Sequence, residues 1–341
     1  MPNTPPPAAS PNQLLQQMIM GFRLTQLLHV AAKLDIADLL ADHPQSARDL
    51  AGICECNADA LYRLLRALAQ AGVLIELPQQ RFQLAPMGEL LRSEVDGSLH
   101  GMALLYGEPW LWNAYGQLLH SVRTGEPAFD HAHGARFFEY LETHEDAAKT
   151  FHDAMSAFSE QEIAALIGAY DFSRERRLVD VGGGHGRLLS ALLRRHPRLF
   201  GTLYDLPSVV DGARELHESE LAARSATVGG DFFEHVPSGG DLYLLKSVIH
   251  DWDDDRASRI LKNCRAAMHD DSRLLVVERV VGDRSEPSEA KLFDINMLAV
   301  LGGRERTQLE HQVLLDSAGF RLTRLIATSS PLTILEAMPH P

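Results

Sequence analysis

The 341-residue sequence lacks the features that would direct a chain to a membrane or an oxidising compartment. No apolar run approaches the roughly 20 residues that a membrane-spanning helix requires. The N-terminus also lacks the charged-then-apolar layout of a signal peptide. The three cysteines, Cys54, Cys56 and Cys264, form neither a paired disulfide framework nor a zinc-ligand pattern. We therefore expect a cytoplasmic protein with free thiols, no membrane contact and no metal.

Positive charge is scarce as well. The chain carries 32 Lys and Arg against 46 Asp and Glu, for a net charge of -14. Binding to a phosphate backbone requires clustered Lys and Arg, so the composition argues against a nucleic-acid partner. A hydrophobic content of 45% is ordinary for a globular protein, and the length suits two domains of unequal size.

The N-terminal half is mostly helical in pattern. Five prolines and no apolar period in residues 1–11 predict a flexible tail. Apolar residues then recur at helical spacing on most sides of one helix between Leu14 and Ala31, so a partner subunit could cover it.

A winged helix-turn-helix follows this first helix. Its predicted elements are two helices, capped by Ser46 and Asn57, and a hairpin, namely helices 47–53 and 58–71 and strands 73–77 and 81–84. Such a module serves DNA binding or dimerisation. The second helix offers only Arg63 and Arg66 as bases, and the chain is acidic, so we favour dimerisation.

From about Arg176 short apolar strands alternate with helices, which predicts an α/β fold with a parallel, doubly wound sheet. The predicted strands are 177–181, 201–205, 241–246, 273–281, 321–327 and 332–337. Ligands of such sheets bind beyond the carboxyl ends of the strands. The predicted organisation is a tail over 1–11, a winged-helix dimerisation domain over 12–110, a helical linker over 111–170 that contributes to the acceptor pocket, and a catalytic domain over 171–341.

The glycine run Gly182–Gly186 joins the first strand of that sheet to its helix and indicates a nucleoside site. Asp205 ends the next strand, where its carboxylate can accept hydrogen bonds from both ribose hydroxyls. Arg187 stands where a dinucleotide fingerprint requires its third glycine. Asp180, which opens the loop, would repel a pyrophosphate but suits a ligand with an ammonium and a sulfonium. S-adenosylmethionine is such a ligand.

Two further motifs occupy the same edge. In Gly229–Phe233, Asp231 can accept a hydrogen bond from the exocyclic amine of adenine, and Phe232 can pack on the face of that base. The alternative is an ordinary Gly-Asp turn followed by a phenylalanine of the core. His250 follows the strand 241–246 and is a candidate base, because an imidazole of pKa near ~6.5 can take the proton of a hydroxyl as it attacks.

Two carboxylates could orient that imidazole. Glu278 lies in an apolar strand, where a charge requires a partner. Glu305 follows Gly302 and Gly303; its alternative is a solvated loop residue or an ion pair with a neighbouring arginine.

On these motifs the chain resembles the small-molecule S-adenosylmethionine-dependent O-methyltransferases, the family of caffeate and hydroxyindole O-methyltransferases, in its bacterial natural-product branch. The segments that carry the resemblance are 178–186, 204–207, 230–233, 245–252 and 302–307. It implies a Rossmann-like methyltransferase sheet, a homodimer through the N-terminal domain, and dimer helices that complete the partner's active site.

The resemblance also implies roles for individual residues. His250 would be the base, with Glu278 and Glu305 beside it. The cofactor set, extended to neighbours within the same motifs, is Gly182, Gly184, Asp205, Leu206, Gly230, Asp231, Phe232, Lys246 and Ser247. The acceptor set is Met155, Ser159, Trp252, Asp294 and Met297.

The sequence therefore predicts methyl transfer to a hydroxyl of an aromatic small molecule, such as a phenol, phenazine or polyketide. The alternative is N-methylation, or a reaction other than methyl transfer, on a polycyclic natural product. His250 beside two carboxylates favours a hydroxyl, because an aromatic nitrogen with a lone pair needs no base.

Overall fold

The computed structural model describes residues 10–218, 220–282 and 288–340, with side chains apart from those of 156–161. Residues 1–9 of the predicted tail lie outside that part of the chain. The chain divides into two compact units, one of Met1–Asn113 with Leu141–Phe158 and the other of Ala114–Tyr140 with Ser159–Pro341. The segment predicted as a linker, 111–170, is thus divided between the two units.

The first unit contains the predicted helix–helix–hairpin module. Ser46 and Asn57 cap its two helices through hydrogen bonds to backbone N–H groups three residues on, as predicted. Its elements are α1 (Pro11–Lys33), α2 (Ile36–Leu39), β1 (Gln45–Ser46), α3 (Ala47–Ile53), α4 (Ala58–Gln70), β2 (Leu74–Leu77), β3 (Arg81–Leu84), α5 (Pro86–Glu89) and α6 (His100–Gly107). The strands form a three-stranded antiparallel sheet in the order β1-β3-β2.

Helix α1 leaves a row of large apolar side chains exposed. Met18 is 75% exposed, Ile19 66% and Leu15 59%. A surface of this kind marks an interaction site. Among the described residues, no helix is long and apolar enough to span a membrane.

Five helices connect the module to the large sheet. They are α7 (Pro109–Gly116), α8 (Leu118–Thr124), α9 (Ala128–His133), α10 (Phe137–Thr143) and α11 (Glu145–Ala169).

The second unit is built on a sheet whose order is β10-β11-β8-β7-β4-β5-β6, and β9 pairs with β8 outside this order. Its strands are β4 (Arg177–Val181), β5 (Phe200–Asp205), β6 (Ser225–Gly229), β7 (Leu242–Lys246), β8 (Arg273–Val281), β9 (Arg306–Thr307), β10 (Phe320–Ala327) and β11 (Leu332–Pro339). Its helices are α12 (Arg187–Arg195), α13 (Pro207–Val210), α14 (Asp254–Ala267), α15 (Glu289–Asn296) and α16 (Gln308–Ser317).

The five strands from β8 to β6 run parallel, which confirms the Rossmann-like prediction. The two closing strands differ from that prediction because β10 and β11 are antiparallel. The turn 328–331 between them is too short for the crossover that a parallel pair needs. Apolar side chains of the central strands are almost fully buried on both faces of the sheet. Because the five strands from β8 to β6 are parallel, their carboxyl ends lie at one edge of the sheet.

Candidate active site

The glycine turn after β4 is shaped by backbone that only glycine adopts readily. Gly182 has φ 69°, and a Cβ there would lie 2.8 Å from Val248 Cγ2. Gly184, at φ 61°, donates its N–H to Asp205 Oδ2 over 2.8 Å. The Leu206 N–H donates to the other oxygen of Asp205 over 2.7 Å. The turn is thus fastened to the acid at the end of β5.

Two carboxyl groups of this region, those of Asp205 and Asp180, have raised pKa values. Burial raises the pKa of Asp205, and the N–H groups of Gly184 and Leu206 oppose the shift. Burial, reinforced by the Asp205 charge, raises the pKa of Asp180 to about 7, and Lys246 acts in the opposite direction. Asp180 Oδ2 is buried without a hydrogen-bond partner among the described residues. A cationic ligand at the turn would stabilise both carboxylates.

The motif after β6 lies beside this turn. The Gly230 N–H donates to the backbone oxygen of Asp205 over 2.9 Å. Asp231 accepts the Phe233 N–H over 2.8 Å, and the Phe232 carbonyl accepts from Asn263 over 2.8 Å. A ring edge of Phe232 faces Gly182, 3.6 Å from where a Cβ would stand. Asp205, Asp231 and the Phe232 ring therefore lie next to a turn that accepts close approach. Two carboxylates and a flat ring are groups that would fit the ribose and adenine of S-adenosylmethionine, and their contacts with it stay predictions.

Lys246 ends β7 and Ser247 follows it. The Lys246 ammonium lies 2.6 Å from Glu162 Oε2, and Arg279 lies 3.2 Å from Glu162 Oε1. Ser247 has φ 54°, a strained value for a residue other than glycine, and such strain clusters at functional sites. The contact of either residue with a cofactor stays a prediction.

His250 lies in a single 3-10 turn, Ile249–Asp251, and is 7% exposed. Its Nδ1 is 2.8 Å from Glu305 Oε1 and 3.4 Å from Glu278 Oε2. Its Nε2 is 3.4 Å from Asp251 Oδ1. The structure thus brings the three predicted catalytic residues together.

Glu278 fixes the turn that carries the imidazole. Its Oε1 accepts the backbone N–H groups of Val248, Ile249 and His250 over 3.0, 2.8 and 3.3 Å. Burial raises the pKa of the Glu278 carboxyl. The three backbone N–H donors and the imidazole therefore stabilise the Glu278 carboxylate inside its buried strand.

The protonation of His250 differs from the sequence-based expectation of an ordinary pKa near ~6.5. Burial would lower the pKa of this imidazole, but the carboxylates of Glu278, Asp251 and Glu305 outweigh it and raise the pKa to about 10. The surrounding carboxylates thus favour the protonated ring. An Nε2 facing the Asp251 oxygen agrees with a proton on that nitrogen.

The loop that carries Glu305 is held against the turn of His250. Arg304 donates its N–H to the His250 carbonyl over 2.8 Å, and a Cβ at Gly303 would lie 2.0 Å from that carbonyl oxygen. Arg306 is 1% exposed and donates to the carbonyls of Ile249 and Trp252 and to Asp254. Glu305 therefore pairs with the imidazole. Among the ion pairs of the described residues, Arg304 and Arg306 contact other carboxylates instead of Glu305.

Three predicted acceptor residues occupy different surroundings. Asp294 accepts the Glu305 N–H over 2.8 Å. Trp252 packs edge-on against Phe233, with ring centroids 4.8 Å apart, on the side of the predicted adenine site. Met297 begins a π-helix, Met297–Leu301, and is 2% exposed. The structure thus places Asp294 against the loop of Glu305 and Trp252 against the Phe233 ring, and the acceptor contacts of the three residues stay predictions.

The other two predicted acceptor residues lie on α11. Met155 is 37% exposed and belongs to the first compact unit. The side chain of Ser159 lies outside the described residues. Their roles stay predictions.

Sequence reasoning missed three residues of this region. Phe293 lies nearly parallel to the His250 ring, at 24° and 6.0 Å between centroids. The Arg279 guanidinium stands 4.3 Å from the centroid of that phenylalanine ring. Glu162 is 8% exposed. A charged Arg279 directly after Glu278 in an apolar strand was the available signal.

Comparison with protein families gives two matches. Residues 115–321 match the O-methyltransferase domain, and residues 16–94 match the O-methyltransferase dimerisation domain.

Three relatives illustrate the range of chemistry. The chain is 43% identical to the phenazine O-methyltransferase PhzM of Lysobacter antibioticus, over 96% of each chain. It is 36% identical to the phenazine-1-carboxylate N-methyltransferase of Pseudomonas aeruginosa, over 92% of each chain. It is 32% identical, with a TM-score of 0.81, to the O-methyltransferase NcsB1 from neocarzinostatin biosynthesis, solved with S-adenosylmethionine and 2-hydroxy-5-methyl naphthoic acid, covering 93% of this chain and 96% of that one.

Proposed function

This chain belongs to the O-methyltransferase family and is an S-adenosylmethionine-dependent enzyme, and on that premise we propose that it methylates a hydroxyl of an aromatic small molecule with His250 as general base. The observation that carries the proposal is the imidazole held at Nδ1 by Glu305 over 2.8 Å, inside a pocket of carboxylates. With Nδ1 engaged, Nε2 is the ring atom that takes the acceptor's proton. This tautomer follows from the hydrogen-bond network.

A base is needed because phenols are weak acids. A phenol of pKa near ~10 is ionised in only about one molecule in a thousand at neutral pH, a cost of roughly 4 kcal/mol on the nucleophile. Removing the proton as the oxygen attacks avoids that cost, and a positioned base typically contributes ~10² to 10⁴ in rate. His250 lies two residues after Val248, whose side chain contacts the glycine turn, and this closeness supports a proton transfer that coincides with attack.

The high pKa of His250 sets a condition on this role. A base of pKa about 10 is well matched to a phenol but is mostly protonated before the reaction. When bound, S-adenosylmethionine supplies an electrophilic methyl group and a positive sulfur whose charge opposes protonation of His250. Glu305 and Glu278 then keep the neutral ring oriented and stabilise it as it becomes charged again.

The aromatic ring of Phe293, next to His250, supports the proposal that the acceptor is aromatic. Phe293 offers a ring nearly parallel to the imidazole, and flat apolar surfaces of this kind bind flat ligands. The relatives' names point the same way, to a phenazine and a naphthoic acid. We propose a fused or substituted phenolic ring as the substrate class.

Methylation of a ring nitrogen is the second candidate, favoured by the N-methyltransferase relative. The test incubates purified protein and labelled S-adenosylmethionine with pairs of acceptors that differ only in a hydroxyl or an amine on the same ring. Mass spectrometry then locates the added methyl group. Methylation of hydroxyls is expected; transfer only to nitrogen would favour the second candidate, and transfer to neither would overturn the proposal.

We further propose a homodimer through the dimerisation domain of the first unit. The exposed apolar row of α1 supports it, because these residues lie inside or next to the matched segment 16–94. A partner subunit would bury that row.

A further inference from the structure

A carboxylate and two cations form a compact group at the edge of the sheet next to the glycine turn. Glu162 holds the Lys246 ammonium at 2.6 Å through Oε2 and the Arg279 guanidinium at 3.2 Å through Oε1. The three side chains are only 10%, 14% and 13% exposed. We call them the Glu162 cluster. Two cations share one carboxylate, so the cluster carries an excess positive charge.

The position of the cluster follows from the order of the strands. Lys246 ends β7, whose neighbour on one side is β4 with the glycine turn and on the other is β8 with Arg279. Lys246 is close enough to Asp180, under the turn, to lower the pKa of that carboxyl. The cluster is therefore adjacent to the turn, on the side away from the adenine motif.

The groups along this edge match the order of groups in the cofactor. Asp231 follows β6, Asp205 ends β5, the glycine turn follows β4, and the Glu162 cluster spans β7 and β8. With the adenine at Asp231 and the ribose at Asp205, the remaining part of S-adenosylmethionine extends across the turn toward the cluster. That part ends in an ammonium and a carboxylate.

We propose that the Glu162 cluster is the receptor for the amino-acid end of S-adenosylmethionine. Lys246 and Arg279 bind its carboxylate, and Glu162 binds its ammonium. Before binding, Glu162 satisfies the two cations, so neither is left as an uncompensated, mostly buried charge. This inference rests on the cofactor assignment above and is independent of the acceptor and of the role of His250.

A purely structural role is the competing explanation, because Glu162 lies on α11 and the pairs also tie that helix to the sheet. The chain offers a matched control for it. Glu175, 6% exposed, pairs with Arg273 over 2.8 Å at the beginning of β8, at the opposite end of the same strand. Loss of that pair would disturb stability without touching the cofactor edge.

The test measures ligand affinity by calorimetry in the full-length protein with three ligands. S-adenosylhomocysteine carries both charged groups, its decarboxylated analogue keeps only the amine, and 5′-methylthioadenosine has neither. Glu162→Gln should weaken the affinity for the first two ligands by about tenfold or more and leave the affinity for the third within about twofold of its original value. Arg279→Gln should weaken S-adenosylhomocysteine alone.

Glu175→Gln should lower the melting temperature without changing any of the three affinities. Equal weakening of all three ligands by Glu162→Gln would overturn the proposal and assign the cluster to structure. Unchanged affinity for all three would overturn it as well. Because these are binding measurements, they stand apart from the acceptor assay, and failure of one leaves the other intact.

Discussion

Asp294 accepts the backbone N–H of Glu305 over 2.8 Å, so it fixes the loop whose carboxylate pairs with the His250 imidazole. From the sequence, Asp294 was expected to contact the acceptor. Its hydrogen bond to Glu305 favours instead a positioning role that acts through Glu305. The carboxylate beside His250 thus depends on a second acid eleven positions earlier in the chain.

Asp294→Ala removes that acceptor and should lower kcat by about 10- to 100-fold, because small displacements of catalytic groups carry costs of this size. Asp294→Asn keeps an oxygen acceptor in the same place and should restore most of the activity. The KM for the acceptor should change little in either variant. A large rise in KM with unchanged kcat would instead make Asp294 an acceptor contact.

The glycine turn gives a prediction for cofactor affinity. Gly182→Ala places a Cβ 2.8 Å from Val248 in backbone at φ 69° and should weaken S-adenosylhomocysteine by at least about tenfold. Gly239→Ala is the control. Gly239 also has a positive φ, 95°, but there is open space around its Cβ position. It lies before the first residue of β7, at the edge of the sheet opposite the glycine turn. The control should lose stability and keep its affinity. Equal affinities for the two variants would contradict the assigned role of the turn.

Oligomeric state tests the exposed row of α1. Met18→Glu combined with Ile19→Glu introduces two charges into positions that are 75% and 66% exposed. We expect light scattering to report a dimer for the unaltered chain and a monomer for this variant. Leu309→Glu, at a residue 68% exposed on α16, should stay dimeric. If the Met18→Glu and Ile19→Glu variant remains a dimer, the exposed row of α1 is not the dimer interface.

The elements around the site were largely predictable, and the reasons are local. The bounds of β4 and α3 agree with those expected from an apolar run and a Ser46 cap. The strand β6 was not identified, because it is the edge strand of the sheet and its side chains are only partly buried, so the apolar signal is weak.

The chemistry of the site was less predictable than its residues. Glu278 could be picked out as a charge in an apolar strand, His250 from its place after an apolar strand, and Glu305 from its place after Gly302 and Gly303. The pKa of the imidazole, however, depends on how close these carboxylates come to the ring. Likewise, the spacing of apolar residues does not predict that Glu162, on a helix, will lie against the ends of β7 and β8. Distances between elements far apart in sequence supply both facts.

Titration of His250 follows from its surroundings. The folded pKa, about 10, is above the ordinary value near ~6.5, so protonation stabilises the fold. That contribution is complete below pH ~6.5 and is lost as the pH rises toward 10. The melting temperature of the ligand-free protein should therefore fall more between pH 7 and 10 than that of His250→Gln. The same fall in both proteins would contradict the raised pKa.

The account also predicts a difference between two cofactor forms. S-adenosylmethionine and S-adenosylhomocysteine differ by one positive charge at sulfur, so the first should lower the pKa of His250 relative to the second. Nuclear magnetic resonance of the imidazole in each complex measures this directly. Equal pKa values would mean that the sulfur is bound too far from the ring for the proposed transfer.

The central claim is that His250 removes the acceptor's proton, and the most direct measurement compares methyl transfer to a phenol by the unaltered enzyme and by His250→Ala, alongside the affinity of each for S-adenosylhomocysteine. The account predicts that kcat falls by about 10² to 10⁴ while the affinity stays within about twofold. As a control, His196→Asn, after α12 at the opposite edge of the sheet, should leave both values unchanged. A His250→Ala enzyme that transfers methyl groups to phenols at the unaltered rate would contradict the account.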